Sequence, residues 1–213
     1  EGGNCITSMS CAVKLITVKP LPVKTNIKFL MEGPYSLSAD SMTNALRTSN
    51  ILSGYFTSQT IPTNAVDSIN IEIRSDSLSS ATVRKFRPAW LLTDGTIRDF
   101  FDTTKNYLEF DALAGNYFVV VHHRNHLAIM SSVVQVLNSS VQPAYDFTIA
   151  GSQAFGTNPM KQFLNGKFGM YSGDANASGD ITILDRATWR TQNIFSGYLS
   201  SDFNMSGDVT ILD

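Results

Sequence analysis

"DSINIEIRS", residues 67–75, alternates polar and apolar side chains without interruption. Ile69, Ile71 and Ile73 would face one way and Asn70, Glu72 and Arg74 the other, the period-two pattern of a strand half-buried against a core. Strands follow on its C-terminal side. "ATVRKFRPAWLLT" (81–93) predicts one or two, broken at Pro88, because proline has no amide to give a ladder. Asp94-Gly95 signals a turn into "TIRDF", making a hairpin. "NYLEFDAL" is another strand, and "YFVVVHH" (117–123) is an apolar run expected to be buried on both faces. "HLAIMSSVVQVL" (126–137) and "AYDFTI" (144–149) complete the set.

On the N-terminal side, "TNIKFLMEG" (25–33) predicts a strand ended by Gly33-Pro34. "DSMTNALRTSNIL" (40–52) holds enough turn formers to favour a long polar loop over a short helix. "AVKLITV" (12–18) reads as a strand and "KPLPVK" (19–24) as an extended proline-rich linker. Short strands with turn signals roughly every eight to twelve residues predict an antiparallel β-sandwich, immunoglobulin- or transthyretin-like. The expected layout is an N-terminal strand and linker (1–22), the sandwich (23–150), a Gly- and Asn-rich linker (151–171) and a small α-type repeat pair (172–213).

The chain has 213 residues, 43% of them apolar, enough for a real core. Charged residues make up only 16%, below the usual figure of about 25%. Such a polar, weakly charged surface is common in secreted β-rich proteins. A net charge of -2 with no basic run argues against nucleic acid as a partner. No apolar stretch approaches the roughly 20 residues of a membrane span. The chain opens on Glu1 without a leader, which reads as a mature or trimmed piece. In an oxidising compartment, Cys5 and Cys11 would close a small loop; otherwise they are two thiols.

The chemistry lies in a phrase written twice, "DANASGDITILD" (174–185) and "DFNMSGDVTILD" (202–213), identical at nine of twelve positions at a period of 28 residues. Positions 1, 3, 5, 7, 9 and 12 are Asp174, Asn176, Ser178, Asp180, Thr182 and Asp185 in the first copy. In the second they are Asp202, Asn204, Ser206, Asp208, Thr210 and Asp213. Calcium is a hard ion that takes roughly six to eight oxygens, and this spacing wraps one loop around one ion. Position 7 contributes its carbonyl, and glycine at position 6 (Gly179, Gly207) permits the left-handed turn. Ile181 and Val209 at position 8 are expected to meet as an antiparallel bridge between paired loops. "RATWRTQNIF" reads as an exiting helix, with Ile183, Leu184, Ala187, Trp189 and Ile194 supplying its apolar contacts. Two Ca2+ sites follow. With two strongly coordinating carboxylates each, their affinity should suit extracellular, near-millimolar calcium. The second phrase stops at position 12 without an exit helix, so either the native chain continues or another subunit completes that site.

"GDANASGDITILDRATWR" resembles a dockerin-type duplicated calcium repeat lacking an entering helix. Upstream, "MEGPY", "VDSINIEIRS", "LLTDGTI", "GNYFVVVHHRNHLAIMS", "YDFT", "GTNPMK" and "SDFN" are similar, in order, to a module of large secreted and surface proteins of Bacteroidota-type bacteria. There the module lies ahead of a type IX secretion sorting domain. The similarity covers about residues 25–213. It implies a calcium-stabilised β-module on an exported protein, and no reaction. Family loops often carry Asp at position 5, so Ser178 and Ser206 imply weaker sites.

"HHRNH" (122–126) holds every histidine. His122, His123 and His126 suggest either a metal or catalytic site, or a strand end hydrogen-bonded to its turn and neighbouring loops. Arg124 in their midst would repel a cation, and no zinc spacing is present, which favours the structural reading; Asp67 and Arg74 are read the same way. No GxSxG elbow occurs, and carboxylates such as Asp99 and Asp102 carry little weight. The expectation is a non-enzymatic extracellular calcium-binding module of a surface adhesin, fibre or other assembly, whose partners are other protein subunits. The alternatives are docking to a cohesin-like domain, or glycan binding through aromatics such as Tyr35, Tyr55, Phe56 and Trp90.

Overall fold

The alternating stretch becomes the central strand, Ala65–Arg74, of the largest sheet. The computed structural model describes residues 20–78 and 80–213; the strand expected at 12–18 and the cysteines Cys5 and Cys11 lie outside them. The central strand pairs antiparallel with Arg84–Leu92 on one side and Gly115–His122 on the other. Ile97–Asp99 extends the sheet beyond Arg84–Leu92. The turn between them is the expected one: Gly95 has φ 83°, and Asp94 Oδ1 accepts the Thr96 N–H at 3.0 Å. Ile129–Met130 and Gln135–Leu137 both pair with Gly115–His122. Val119, Val120 and Val121 are all buried, as an unbroken apolar run requires. The chain is mainly β, and its principal sheet is antiparallel. No helix among the described residues is long and apolar enough to cross a membrane.

Short ladders fill in around this sheet. Val23–Thr25 pairs with Leu108–Phe110, Tyr35–Ser36 with Ser41–Met42, and Lys161–Gln162 with Phe168–Gly169, all antiparallel. One ladder is parallel: Ile27–Lys28 runs beside Tyr145–Asp146. Parallel neighbours need a long connection, and here nearly the whole β-rich region supplies it.

Four expectations change. The strand through Pro88 is continuous, with Pro88 opposite Asn70. Its other neighbour, Ile97–Asp99, reaches only Ala89 to Leu91, so Pro88 has a partner strand on one side alone, where a missing amide is tolerated. Glu72 does not face water; its side chain is fully covered. The polar loop at 40–55 contains two short helices, Ala45–Thr48 and Ile51–Tyr55. Leu46 and Leu52 are fully buried there, and that packing outweighs the local turn formers. Residues 151–171, read as a linker, lend Ala154, Met160 and Met170 to the core. Met170 accepts the Glu32 N–H and donates to the Leu30 carbonyl.

The repeat is tied to the β-rich region by a close backbone approach. A Cβ at Gly33 would lie 1.8 Å from the carbonyl oxygen of Phe203. Gly33→Ala must therefore push the second loop away, and is expected to cost about 3 kcal/mol in urea unfolding. A loss below about 0.5 kcal/mol would show that the two backbones need not sit so close.

Candidate metal centre

Both copies of the repeated phrase fold into the same loop. In the first, Asp174 Oδ1 accepts the Ser178 N–H and Oδ2 the Gly179 N–H, each at 2.9 Å. Asn176 Oδ1 also accepts from Ser178 N at 2.9 Å. Asp185 reaches back, Oδ1 to Asn176 N at 3.2 Å and Oδ2 to Thr182 N at 2.7 Å. The second loop repeats each bond. Asp202 holds Ser206 N and Gly207 N, Asn204 holds Ser206 N, and Asp213 holds Asn204 N and Thr210 N. In both, the position-5 hydroxyl donates to the position-7 carbonyl, at 3.2 Å from Ser178 and 3.0 Å from Ser206. Gly179 and Gly207 have φ of 90° and 95°, the left-handed turn expected of position 6. Asp213 thus occupies its place within its own loop, as Asp185 does.

Thr182 and Asp185 also form a capping box at the start of the helix Ile183–Gln192. Burial opposes ionisation of Asp185, but the N–H groups of Thr182 and Asn176 outweigh it and hold the carboxyl below its usual range. Asp202 goes the other way. It is fully buried, and burial pushes its carboxyl up to about 6 despite the N–H groups of Gly207 and Ser206. Among the described residues no three His, Cys, Asp or Glu side chains converge as a metal-ligand group. Each loop supplies two carboxylates, and amide, hydroxyl and main-chain oxygens make up the rest. That donor set is all oxygen and suits a hard cation.

The loops differ at positions 2, 4 and 8, and the differences mark their settings. In the second loop these positions are Phe203, Met205 and Val209, all buried. In the first they are Ala175, Ala177 and Ile181, of which only Ala175 is buried. The second loop is inserted into the core and the first is peripheral. The position-8 bridge is not formed: Val209 donates to the Phe195 carbonyl and accepts from Ile194 N, at 2.9 and 2.8 Å. The second loop pairs with the turn after the helix instead of with the first loop. The helix buries only Asp185; Ile183 is 70% and Leu184 64% exposed. Trp189 is partly buried, and its Nε1 donates to the Thr210 carbonyl at 2.9 Å.

Behind the loops lies a buried polar junction built on "HHRNH". Asp67 is fully buried and accepts from His123 Nε2 (3.1 Å), Arg124 Nε (3.0 Å) and Tyr198 Oη (2.6 Å). Burial alone would raise its carboxyl; Arg124, then His123 and Tyr198, outweigh it and hold it at about 2. Since a carboxylate only accepts, His123 carries its proton on Nε2 and presents Nδ1 as an acceptor. His126 Nδ1 lies 3.1 Å from that atom and 2.8 Å from Asn125 Oδ1. Burial lowers the basicity of both imidazoles. Arg124 also donates to the Leu199 carbonyl, touches Met205 Sδ at 3.1 Å and stacks 4.4 Å over the Tyr198 ring. On the sheet, Glu72 gathers Arg74, Arg84 and His122 at 2.6, 2.5 and 2.8 Å. All three histidines are hydrogen-bonded within these networks. Asp67 is the member singled out with them from the sequence; Glu72 and Tyr198 join from positions with no local signal.

Asp99 pairs with Arg87 and accepts the N–H groups of Phe101 and Asp102, while Asp102 closes its own turn on Thr104. Both carboxylates are spent on local structure. A cleft of about 570 Å³ opens beside the junction, with Tyr55, Phe56, Phe86, Phe100 and Tyr198 among its walls. Of the aromatics considered for a glycan groove, Tyr55 and Phe56 line it, Trp90 is fully buried and Tyr35 stacks on Phe163. Comparison with protein-family models, curated proteins and solved structures finds no match for this chain.

Proposed function

We propose that this chain is a non-enzymatic, extracellular calcium-binding module, part of a surface adhesin, fibre or other secreted assembly. The fold we infer is an immunoglobulin-like sandwich followed by a dockerin-like loop pair. One observation carries the reading: two loops 28 residues apart make the same internal hydrogen bonds from the same side chains. Asp174, Asn176, Ser178, Asp180, Thr182 and Asp185 would hold the first ion, and Asp202, Asn204, Ser206, Asp208, Thr210 and Asp213 the second. Calcium supplies positive charge to loops whose donors are all oxygen, including the buried Asp202. It binds the folded loops and not the unfolded chain, so it stabilises the fold by linkage.

Calorimetric titration of the full chain is expected to show two ions bound. Asp185→Asn and Asp213→Asn should each remove one of them, leaving the other. No uptake at millimolar calcium would sink the reading.

The exposed pair Ile183 and Leu184 supports a second reading, in which the helix face docks on a cohesin-like partner. Calcium-dependent capture of such a domain, lost in Leu184→Asp with both ions still bound, would favour docking over a purely structural role.

A further inference from the structure

Asn125 stands between the two loops and is fully buried. Its main-chain carbonyl accepts the N–H groups of Gly173 and Asp174, both at 3.1 Å. Its side-chain Nδ2 donates to the carbonyl of Asp202 at 2.8 Å. Asp174 and Asp202 are position 1 of the first and second loops, so a single residue holds the first ligand position of both. Its own orientation is set from behind: Oδ1 faces His126 Nδ1 at 2.8 Å, and His126 bridges to Ser172. The next residue, Leu127, donates to the Tyr171 carbonyl at 2.9 Å. Val209 spends both its main-chain groups on residues 194 and 195, so position 8 provides no ladder between the loops. The polar connection between the two position-1 residues runs through Asn125, whereas Trp189 Nε1 ties the helix after the first loop to the Thr210 carbonyl, at position 9 of the second.

We propose that Asn125 is a positioning residue that couples calcium uptake by the two loops. The inference rests on the calcium reading above. An ion in one loop immobilises position 1 of that loop, and with it Asn125. The other loop then meets its ion with part of the ordering cost already met. Coupling of this kind is reciprocal, and each occupied loop should raise the other's affinity by about five-fold or more.

The test is calorimetric titration of the full chain with calcium, in four forms. Asp185→Asn and Asp213→Asn silence one loop each, at position 12 and away from Asn125. The unsubstituted chain should bind its second ion about five-fold more tightly than the two single-loop curves predict. In Asn125→Ala the two-ion curve should collapse onto the sum of single-loop curves measured in that same background. A merely structural residue would lower the melting temperature and both affinities while leaving the coupling factor intact, and that result would overturn the proposal. So would an unsubstituted chain whose curve already equals the sum, a comparison that needs no Asn125 variant. Should Asn125→Ala not fold, the near-isosteric Asn125→Asp also removes the Nδ2 donor and takes its place. Two uncoupled ions defeat the coupling alone, whereas no uptake by any form defeats the calcium reading as well.

Discussion

Transfer of this chain from saturating calcium into excess chelator is expected to lower its melting temperature by about 10 °C. With calcium about twenty-fold above Kd, each site contributes about 2 kcal/mol. A chain of this length shifts by about 2–4 °C per kcal/mol. The two sites should not contribute equally in practice. Phe203, Met205 and Val209 seat the second loop in the core, and Gly33 lies against the Phe203 carbonyl. The first loop has only Ala175 buried at the corresponding positions and leaves Ile181 half exposed. Asp213→Asn should therefore lower the melting temperature more than Asp185→Asn, because loosening the second loop also loosens what packs on it. A melt that ignores chelator, or equal shifts in the two variants, would contradict this account.

The features that could be read from the chain are those whose signal is local. Ile69, Ile71 and Ile73 alternate within one strand, and Asp94-Gly95 makes its own turn. The loops were legible because all twelve positions of each are consecutive. What escaped depends on distant residues. Glu72 sits on the polar phase of its strand, yet Arg84 and His122 come from the two neighbouring strands to cover it. Tyr198 reaches Asp67 across 131 residues. The parallel ladder of Ile27 with Tyr145 has no local signature either. One signal was present and unread: the two phrases differ at positions 2, 4 and 8, and the second is the more apolar at positions 2 and 4. That asymmetry marks which loop is inserted.

Asp67→Ala is expected to cost about 3–5 kcal/mol, the usual penalty for removing one partner of a buried ion pair. The substitution strands three donors at once: the Arg124 guanidinium, the His123 Nε2–H and the Tyr198 hydroxyl. Asp67→Asn keeps an acceptor for one of them but not the charge, and should fall between the variant and the parent. The pH dependence has a definite sign. The folded-state carboxyl is held at about 2, below its ordinary 3.8, so its contribution is complete above the unfolded value. It is lost as pH falls from about 4 toward 2, by about 2 kcal/mol. Glu72, also held at about 2 by Arg84, Arg74 and His122 against the effect of burial, titrates in the same window. Urea unfolding at pH 7 and near pH 2 should therefore show the gap between parent and Asp67→Ala shrinking by about 2 kcal/mol. The damage should also reach the repeat, because Arg124 is the link from Asp67 to the Leu199 carbonyl and Met205 of the second loop's setting. Calcium uptake by that loop should weaken in Asp67→Ala while the first loop keeps its affinity to within the coupling factor. A variant within 1 kcal/mol of the parent at pH 7, or one that binds both ions as the parent does, would show that the junction does not brace the loop.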